Sequence, residues 1–244
     1  MYTDSKLVIR ARIALANNEN IEIGQSEDLE SVKFFFLDGK EINGIENWFT
    51  ECKRKNIQDF KYSMRVYIIE ESPYLKSTNE ETEVVCIWPD KTTCFKVKNV
   101  ISGDKICLEF YEKDFKRNID ELYDKADIVS DFKKNLAELK ELAGKLGPTG
   151  PFFARRFEVA HMILDEKAKP EYETMPDYLQ DLPNKLKDIL FARNVSYVFG
   201  GMGSWNDDPQ GFAEELGLKD DYDRLTDDLI RNRSRALVYV ANNC

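Results

Sequence analysis

The chain has 244 residues, of which 42% are hydrophobic and 33% charged, and its formal net charge is -10. This length and composition are typical of a globular protein with a sizeable core, in one large domain or two modest ones, and they exclude long disordered stretches. An acidic surface repels nucleic acid and anionic lipid at long range and attracts basic proteins. We therefore expect a protein partner, and neither nucleic acid nor a membrane.

The cysteines and the first residues predict the cellular compartment. The five cysteines are Cys52, Cys86, Cys94, Cys107 and Cys244. Their number is odd and no pair has the C-x-x-C spacing of a zinc or redox site, so we expect reduced thiols and no metal. The start of the chain lacks the pattern of a secretory signal, and no window approaches the ~20 apolar residues of a membrane span. These features predict a cytoplasmic protein.

The first half is predicted to be rich in strands, because aromatic and β-branched residues run between turn residues. The predicted strands are 6–15, which would also suit a helix, 31–37, 62–69, 83–88, 92–97 and 106–111. Asp38-Gly39 and Pro89-Asp90-Lys91 are the turn signals. A short helix is predicted over 45–53, where Ile45, Trp48 and Phe49 share one face.

The apolar pattern then changes to the period of a helix. A long helix is predicted over 120–146 and ends at the glycine and proline residues of 147–151, a candidate domain boundary or hinge. Further predictions are helices over 152–167, 183–193, 209–216 and 221–242, and a short buried strand over 196–199. The predicted fold class is α+β, with a β-rich region 1–118, a connecting helix 119–146 and a helical region 152–244.

The most specific segment is the sequence Phe-Gly-Gly-Met-Gly-Ser-Trp-Asn-Asp-Asp-Pro at 199–209, which we call the glycine loop. Glycines permit positive φ angles or a close approach of backbone. The residues expected to shape the loop are Gly200, Gly201, Gly203 and Ser204. Asp208 is the predicted N-cap of a helix that starts at Pro209.

Two interpretations of the glycine loop compete. A strand, a glycine turn and a helix N-terminus can form an anion cradle. However, the loop has no lysine of the Walker type and no G-x-G-x-x-G spacing, and Asp207 and Asp208 would repel a phosphate. The other interpretation is a loop that either binds a partner or closes as a tight turn over a buried Trp205. We favour this second interpretation.

The rest of the sequence shows no group of residues with the spacing of a catalytic or metal-binding site. His161 is the only histidine, has no partner at a recognisable spacing, and is interpreted as a hydrogen-bonded packing residue. The arginines at 155–156 and at 231, 233 and 235 are explained by helix dipoles and salt bridges. The many carboxylates after Trp205 instead predict an acidic docking surface beside an aromatic anchor. Its predicted contact residues are Trp205, Asn206, Asp207, Asp208, Asp220, Asp221 and Asp223.

Residues 195–242, with the Phe-Gly-Gly-Met-Gly-Ser-Trp-Asn-Asp string and the Asp-Tyr-Asp-Arg-Leu start of the last helix, carry a family resemblance. They resemble the C-terminal ends of bacterial immunity proteins of polymorphic toxin and contact-dependent inhibition systems. The resemblance implies tight binding and neutralisation of a cognate toxin, without catalysis or cofactor. It carries over to the loop residues Gly200, Gly201, Gly203, Ser204, Trp205, Asn206 and Asp207. The alternative is a hydrolase or transferase with a site in the cleft between the two halves, built from the glycine loop and a carboxylate.

Overall fold

The structure is a computed structural model that describes residues 3–23, 29–72, 75–102, 105–122, 127–200 and 203–244. Its fold class is α+β, as predicted, with a six-stranded sheet in the first half and mostly helices in the second. The strands are β1 Leu29–Phe35, β2 Glu41–Asn43, β3 Asp59–Ser72, β4 Leu75–Ile87, β5 Thr92–Ser102 and β6 Lys105–Asp114. Their order in the sheet is β2-β1-β6-β5-β4-β3, and only the β1–β6 pair is parallel.

Aromatic packing explains why these segments form a sheet. The ring of Phe34 stacks between those of Trp48 and Phe110, with centroids 4.8 Å away on each side. Because side chains alternate across a strand, Phe35 points to the opposite face, where it stacks on Tyr111. Each of the five predicted strands between 31–37 and 106–111 overlaps a strand of the sheet.

The helices of the described residues are α1 Thr3–Asn17, α2 Ile45–Arg54, α3 Ile128–Ala143, α4 Gly150–Leu164, α5 Asn184–Val195, α6 Asp208–Glu215 and α7 Lys219–Asn243. None of them is both long and apolar enough to cross a membrane. α3 begins eight residues later than predicted, after a short 3-10 turn at Ile119–Leu122. Asp127 caps it by accepting a hydrogen bond from the Ser130 backbone N–H at 3.0 Å.

Two predicted strands are wrong. The segment 6–15 is part of helix α1, because Leu7, Ala11 and Ala14 recur on one buried helical face that packs against β3, β4 and α7. The segment 196–199 has no strand partner and instead leads as irregular chain from α5 into the glycine loop. Its apolar residues are too few to show by periodicity whether they pair in a sheet.

Helix α7 joins the sheet to the helices. It packs against β3 on one side and against α3, α5 and α1 on others. One continuous apolar cluster accordingly runs from Leu7 in α1 to Ala241 near the end of α7. The division of the chain into separate regions stays a prediction, although this shared core couples the two halves energetically.

The turn between α3 and α4 is tightly packed. Gly147 has a φ of +63°, and a Cβ there would lie 2.3 Å from the Phe212 ring of α6. A Cβ on Gly150 would lie 2.1 Å from the carbonyl oxygen of Ala143. Both glycines are therefore required by close approach, which argues against a hinge at 147–151.

Candidate docking surface around the glycine loop

Trp205 is the centre of the glycine loop, and its side chain is 0% exposed. The indole stacks on Tyr222 of α7 with ring centroids 5.2 Å apart, and it meets Phe153 and Phe157 of α4 edge to face. Its Nε1–H donates a hydrogen bond to the Thr226 hydroxyl at 2.9 Å. The prediction that Trp205 contacts a partner is therefore corrected, because an aromatic pocket encloses the ring and satisfies its one polar group.

The loop backbone is fixed around this buried ring. The Trp205 N–H donates to the Val198 carbonyl at 2.9 Å, and the Tyr222 hydroxyl donates to the Trp205 carbonyl at 2.7 Å. The Ser204 hydroxyl lies 3.2 Å from the Gly200 carbonyl oxygen and 2.6 Å from Asn206 Oδ1. The loop is thus the tight turn of the second interpretation, closed over a tryptophan. Gly201, a predicted loop-shaping residue, lies outside the described residues.

The Asp207 carboxylate binds a backbone N–H of the glycine loop, the kind of donor that an external anion would need. Its Oδ2 accepts a hydrogen bond from the Gly203 N–H at 2.7 Å, and Gly203 has a φ of +76°. Asp207, and not Asp208, is the N-cap residue of α6, although its side chain makes no cap hydrogen bond. Since the chain's own carboxylate takes the Gly203 N–H, the loop is less suited to an external phosphate or oxyanion.

The predicted acidic contact residues divide by exposure. Asp208 and Asp220 are exposed, as is Asp221, which pairs with Arg224 at 3.3 Å. Asn206 and Asp223 are half-buried, and Asp223 pairs with Lys219 at 3.2 Å. The exposed carboxylates of α6, its N-cap and the start of α7, which we call the acidic face, are Asp207, Asp208, Glu214, Glu215, Asp220 and Asp221.

An exposed apolar side chain lies within the acidic face. Leu216, between Glu215 and Gly217, is 55% exposed. From 207 to 224 the chain has seven carboxylates against two basic side chains, Lys219 and Arg224. The surface therefore combines a negative field with one accessible apolar group.

Three of the five cysteines are buried thiols, and the histidine lies beside an acid that is already paired. Burial raises the pKa of Cys86, and burial together with Glu83 raises the pKa of Cys94 to about 12, so both thiols stay protonated at neutral pH. His161 Nδ1 lies 3.6 Å from Asp165. Lys133 and Lys167 hydrogen-bond that carboxylate and lower its pKa to about 2. Within the described ranges, no group of three or more His, Cys, Asp or Glu is arranged to hold a metal.

A buried ionic cluster on the sheet was not predicted from the sequence. Glu83 is 6% exposed and accepts hydrogen bonds from Arg117 and from the Ser63 hydroxyl. Burial alone would raise the pKa of Glu83, but Arg117, Lys96 and the Ser63 hydroxyl together outweigh it, and the pKa lies below its usual value. The signal was a carboxylate directly before the apolar run Val84-Val85-Cys86. The cluster ties the segment after β6 to the sheet and has a structural role.

Comparisons with protein-family models, with curated proteins and with solved structures found no match for this chain.

Proposed function

We propose that this protein is a cytoplasmic inhibitor of the immunity type, which binds a basic toxin domain and neutralises it without catalysis. The observation that carries the proposal is the acidic face, six exposed carboxylates supplied by one short stretch of chain. Complementary charge speeds the encounter of two proteins and selects among partners. The net charge of -10 adds a long-range field of the same sign.

Leu216 replaces Trp205 as the apolar anchor of this surface. It is 55% exposed and is flanked in the chain by Glu214 and Glu215 on one side and Asp220 on the other. Apolar contacts at the centre of an interface, surrounded by polar groups, supply most of the binding free energy. We expect a partner to present lysines or arginines around an apolar recess.

The buried Trp205 stabilises the backbone that carries the acidic face. Trp205 fixes the loop against α4 and α7 through ring packing and two hydrogen bonds of its backbone. Because α6 follows directly, the position of its carboxylates depends on this anchor. A preorganised surface loses less entropy on binding than a mobile one.

The experiment uses two variants that each remove four negative charges. The first neutralises the acidic face with Asp208→Asn, Glu214→Gln, Glu215→Gln and Asp220→Asn. The matched control neutralises exposed acids elsewhere with Asp90→Asn, Asp114→Asn, Glu171→Gln and Glu173→Gln. Asp207 is kept, because its carboxylate holds the loop.

The probe is the product of the open reading frame next to this gene. It is tested for growth inhibition in cells that produce each variant, and its binding is measured by calorimetry. We expect the unaltered protein and the control to protect the cells. The acidic-face variant should bind at least a hundredfold more weakly. Equal protection by both variants would show that the acidic face is not part of the interface. Failure of the unaltered protein to bind or protect would refute the inhibitor function.

A further inference from the structure

A cavity of about 460 Å³ lies among the helices of the second half of the chain. Arg156 of α4, the segment 174–179 and the last turns of α5 line it. Met175, Leu179 and Leu190, all buried, form part of its apolar wall. Its volume is within the range of about 300–1,000 Å³ found for pockets that enclose small molecules.

The polar side chains of the cavity are positively charged or neutral. Among the described residues that line it, two are arginines, Arg156 and Arg193, and none is acidic. Lys6 adds a third cation nearby, with its Nζ 4.7 Å from the ring centroid of Tyr178, another lining residue. Asp177, the one acid of the segment 174–179, is exposed and does not line the cavity, so the lining itself carries an excess of positive charge. This excess favours an anionic occupant.

Backbone carbonyls, rather than a carboxylate, hold the guanidinium of Arg156 in place. Its Nε donates to the Val195 carbonyl and its Nη2 to the Tyr197 carbonyl, both at 3.0 Å. A guanidinium has five N–H donors, so three remain after these two bonds. Within the described part of the chain, Arg156 forms no ion pair. A fixed guanidinium of this kind is suited to a carboxylate.

Arg193 is also positioned by backbone. Its Nε donates to the Arg233 carbonyl at 3.1 Å, and the Arg233 Nε donates to the Arg193 carbonyl at 3.0 Å. This reciprocal pair joins α5 to α7 and fixes the side chain of Arg193, which lines the cavity. Burial raises the pKa of Tyr178, another residue that lines the cavity.

We propose that this cavity binds a small organic carboxylate with an apolar body. Arg156 and Arg193 attract and orient the carboxylate, while Met175, Leu179 and Leu190 enclose the apolar body. The residues that line the cavity include none of the carboxylates of the acidic face. Asp221 and Arg233 are 12 residues apart on α7, a separation of about 18 Å along the helix axis.

The probes are octanoate, 4-phenylbutyrate and indole-3-acetate, each paired with its primary amide. Binding is measured by saturation-transfer NMR and by calorimetric titration at low and high salt. We expect at least one carboxylate to bind with a dissociation constant of about 1 mM or lower. Its amide should bind at least tenfold more weakly, and high salt should weaken the carboxylate alone.

Two variant pairs test the positive charge. Asn194 lines the cavity and is exposed, so Asn194→Glu adds a negative charge at little cost to folding, and Asn194→Gln is its uncharged control. Arg156→Gln removes a cation, and Arg155→Gln is its control, because Arg155 pairs with Glu158 and does not line the cavity. We expect Asn194→Glu and Arg156→Gln each to weaken carboxylate binding at least tenfold, with both controls unchanged.

The proposal is overturned if none of the three carboxylates binds, or if the amides bind as tightly as the acids. It is also overturned if Asn194→Glu leaves carboxylate binding unchanged. Should Arg156→Gln fail to fold by circular dichroism, the Asn194 pair decides the result.

Discussion

The two ends of helix α7 use polar side chains in opposite ways. At the N-terminal end, Asp220 and Asp221 are exposed and extend the acidic face. At the C-terminal end, Asn242 is buried, accepts a hydrogen bond from the Tyr62 N–H at 2.6 Å and donates one to the Tyr62 carbonyl at 2.9 Å. Exposed charges add little to stability, whereas a buried amide without its partners is costly. The first end is thus free to serve binding, while the second fixes the helix on the sheet.

Further bonds at the C-terminal end strengthen this contrast. Lys61 of β3 donates from its Nζ to the Asn242 carbonyl at 3.1 Å. Asp59 pairs with both Lys61 and Arg12 of α1 at 2.9 Å. Sheet, first helix and last helix therefore meet in one polar junction. Changes at this junction should affect folding, and changes on the acidic face should affect binding.

The largest effect on stability is expected at the buried Trp205, which holds the glycine loop before the acidic face. Trp205→Ala removes a fully enclosed ring and the Nε1–H that bonds the Thr226 hydroxyl, so we expect the free energy of unfolding to fall by about 4 kcal/mol. Urea denaturation measures this loss. The control is Tyr197→Ala, which truncates a ring that is 53% exposed and should change stability much less. A loss below about 1 kcal/mol for Trp205→Ala would mean that the loop does not depend on its tryptophan.

The next effect tests the C-terminal end of α7. Asn242→Ala deprives the Tyr62 backbone and the Leu122 carbonyl of partners, and should cost about 2–3 kcal/mol. The neighbouring Asn243 is exposed and bonds only the Tyr239 carbonyl of its own helix, so Asn243→Ala should cost less than about 0.5 kcal/mol. Thermal and urea denaturation of both variants give the comparison. Equal losses would show that the buried junction does not hold the helix to the sheet.

A smaller effect is expected where the turn before α4 touches α6. Gly147→Ala places a methyl group against the Phe212 ring and at a positive φ, so we expect a loss of about 1–2 kcal/mol. Gly211→Ala is the control, since its Cβ meets open space on the exposed side of α6 and alanine favours a helix by about 0.5–1 kcal/mol. Opposite signs for the two variants in urea denaturation are expected. If Gly147→Ala is neutral, Phe212 can move aside and α6 is less firmly seated than the structure indicates.

Local patterns in the sequence predicted most of the elements. The spacing of Tyr222, Leu225, Leu229 and Leu237 predicted α7, and all four side chains are buried. The β-type composition of the first half likewise predicted five of the six strands of the sheet, but not the short β2. The exception, α1, has apolar residues dense enough for either structure, and only its packing against β3 and α7 decides in favour of a helix.

The site was harder to predict, because it depends on residues that are distant in the chain. Glycines predicted a turn before Trp205, but the direction of the Trp205 ring is set by Phe153 and Phe157, about fifty positions earlier. The cavity brings Arg156 of α4 beside Arg193 of α5 through a bond to the Val195 carbonyl. No spacing rule reports such contacts. Exposure decides which polar residues are available to a partner, and exposure follows from the fold.

The smallest effect on stability is expected on the acidic face itself. The variant with Asp208→Asn, Glu214→Gln, Glu215→Gln and Asp220→Asn should change the free energy of unfolding by less than about 0.5 kcal/mol. Asp208 and Asp220 lie in the first turns of α6 and α7, where the helix dipole favours a negative charge. Glu214 and Glu215 end α6, where the dipole opposes one, so the contributions offset each other.

Urea denaturation of this variant at low and high salt tests the contrast between the two ends of α7. Any residual effect should shrink at high salt, because these side chains are solvated and their interactions are screened. A loss of unfolding free energy above about 2 kcal/mol would exceed what exposed charges contribute, and it would show that the acidic face stabilises the fold. A stable variant that no longer binds the toxin domain would instead separate the two roles. Binding would then belong to the start of α7 and structural support to its end.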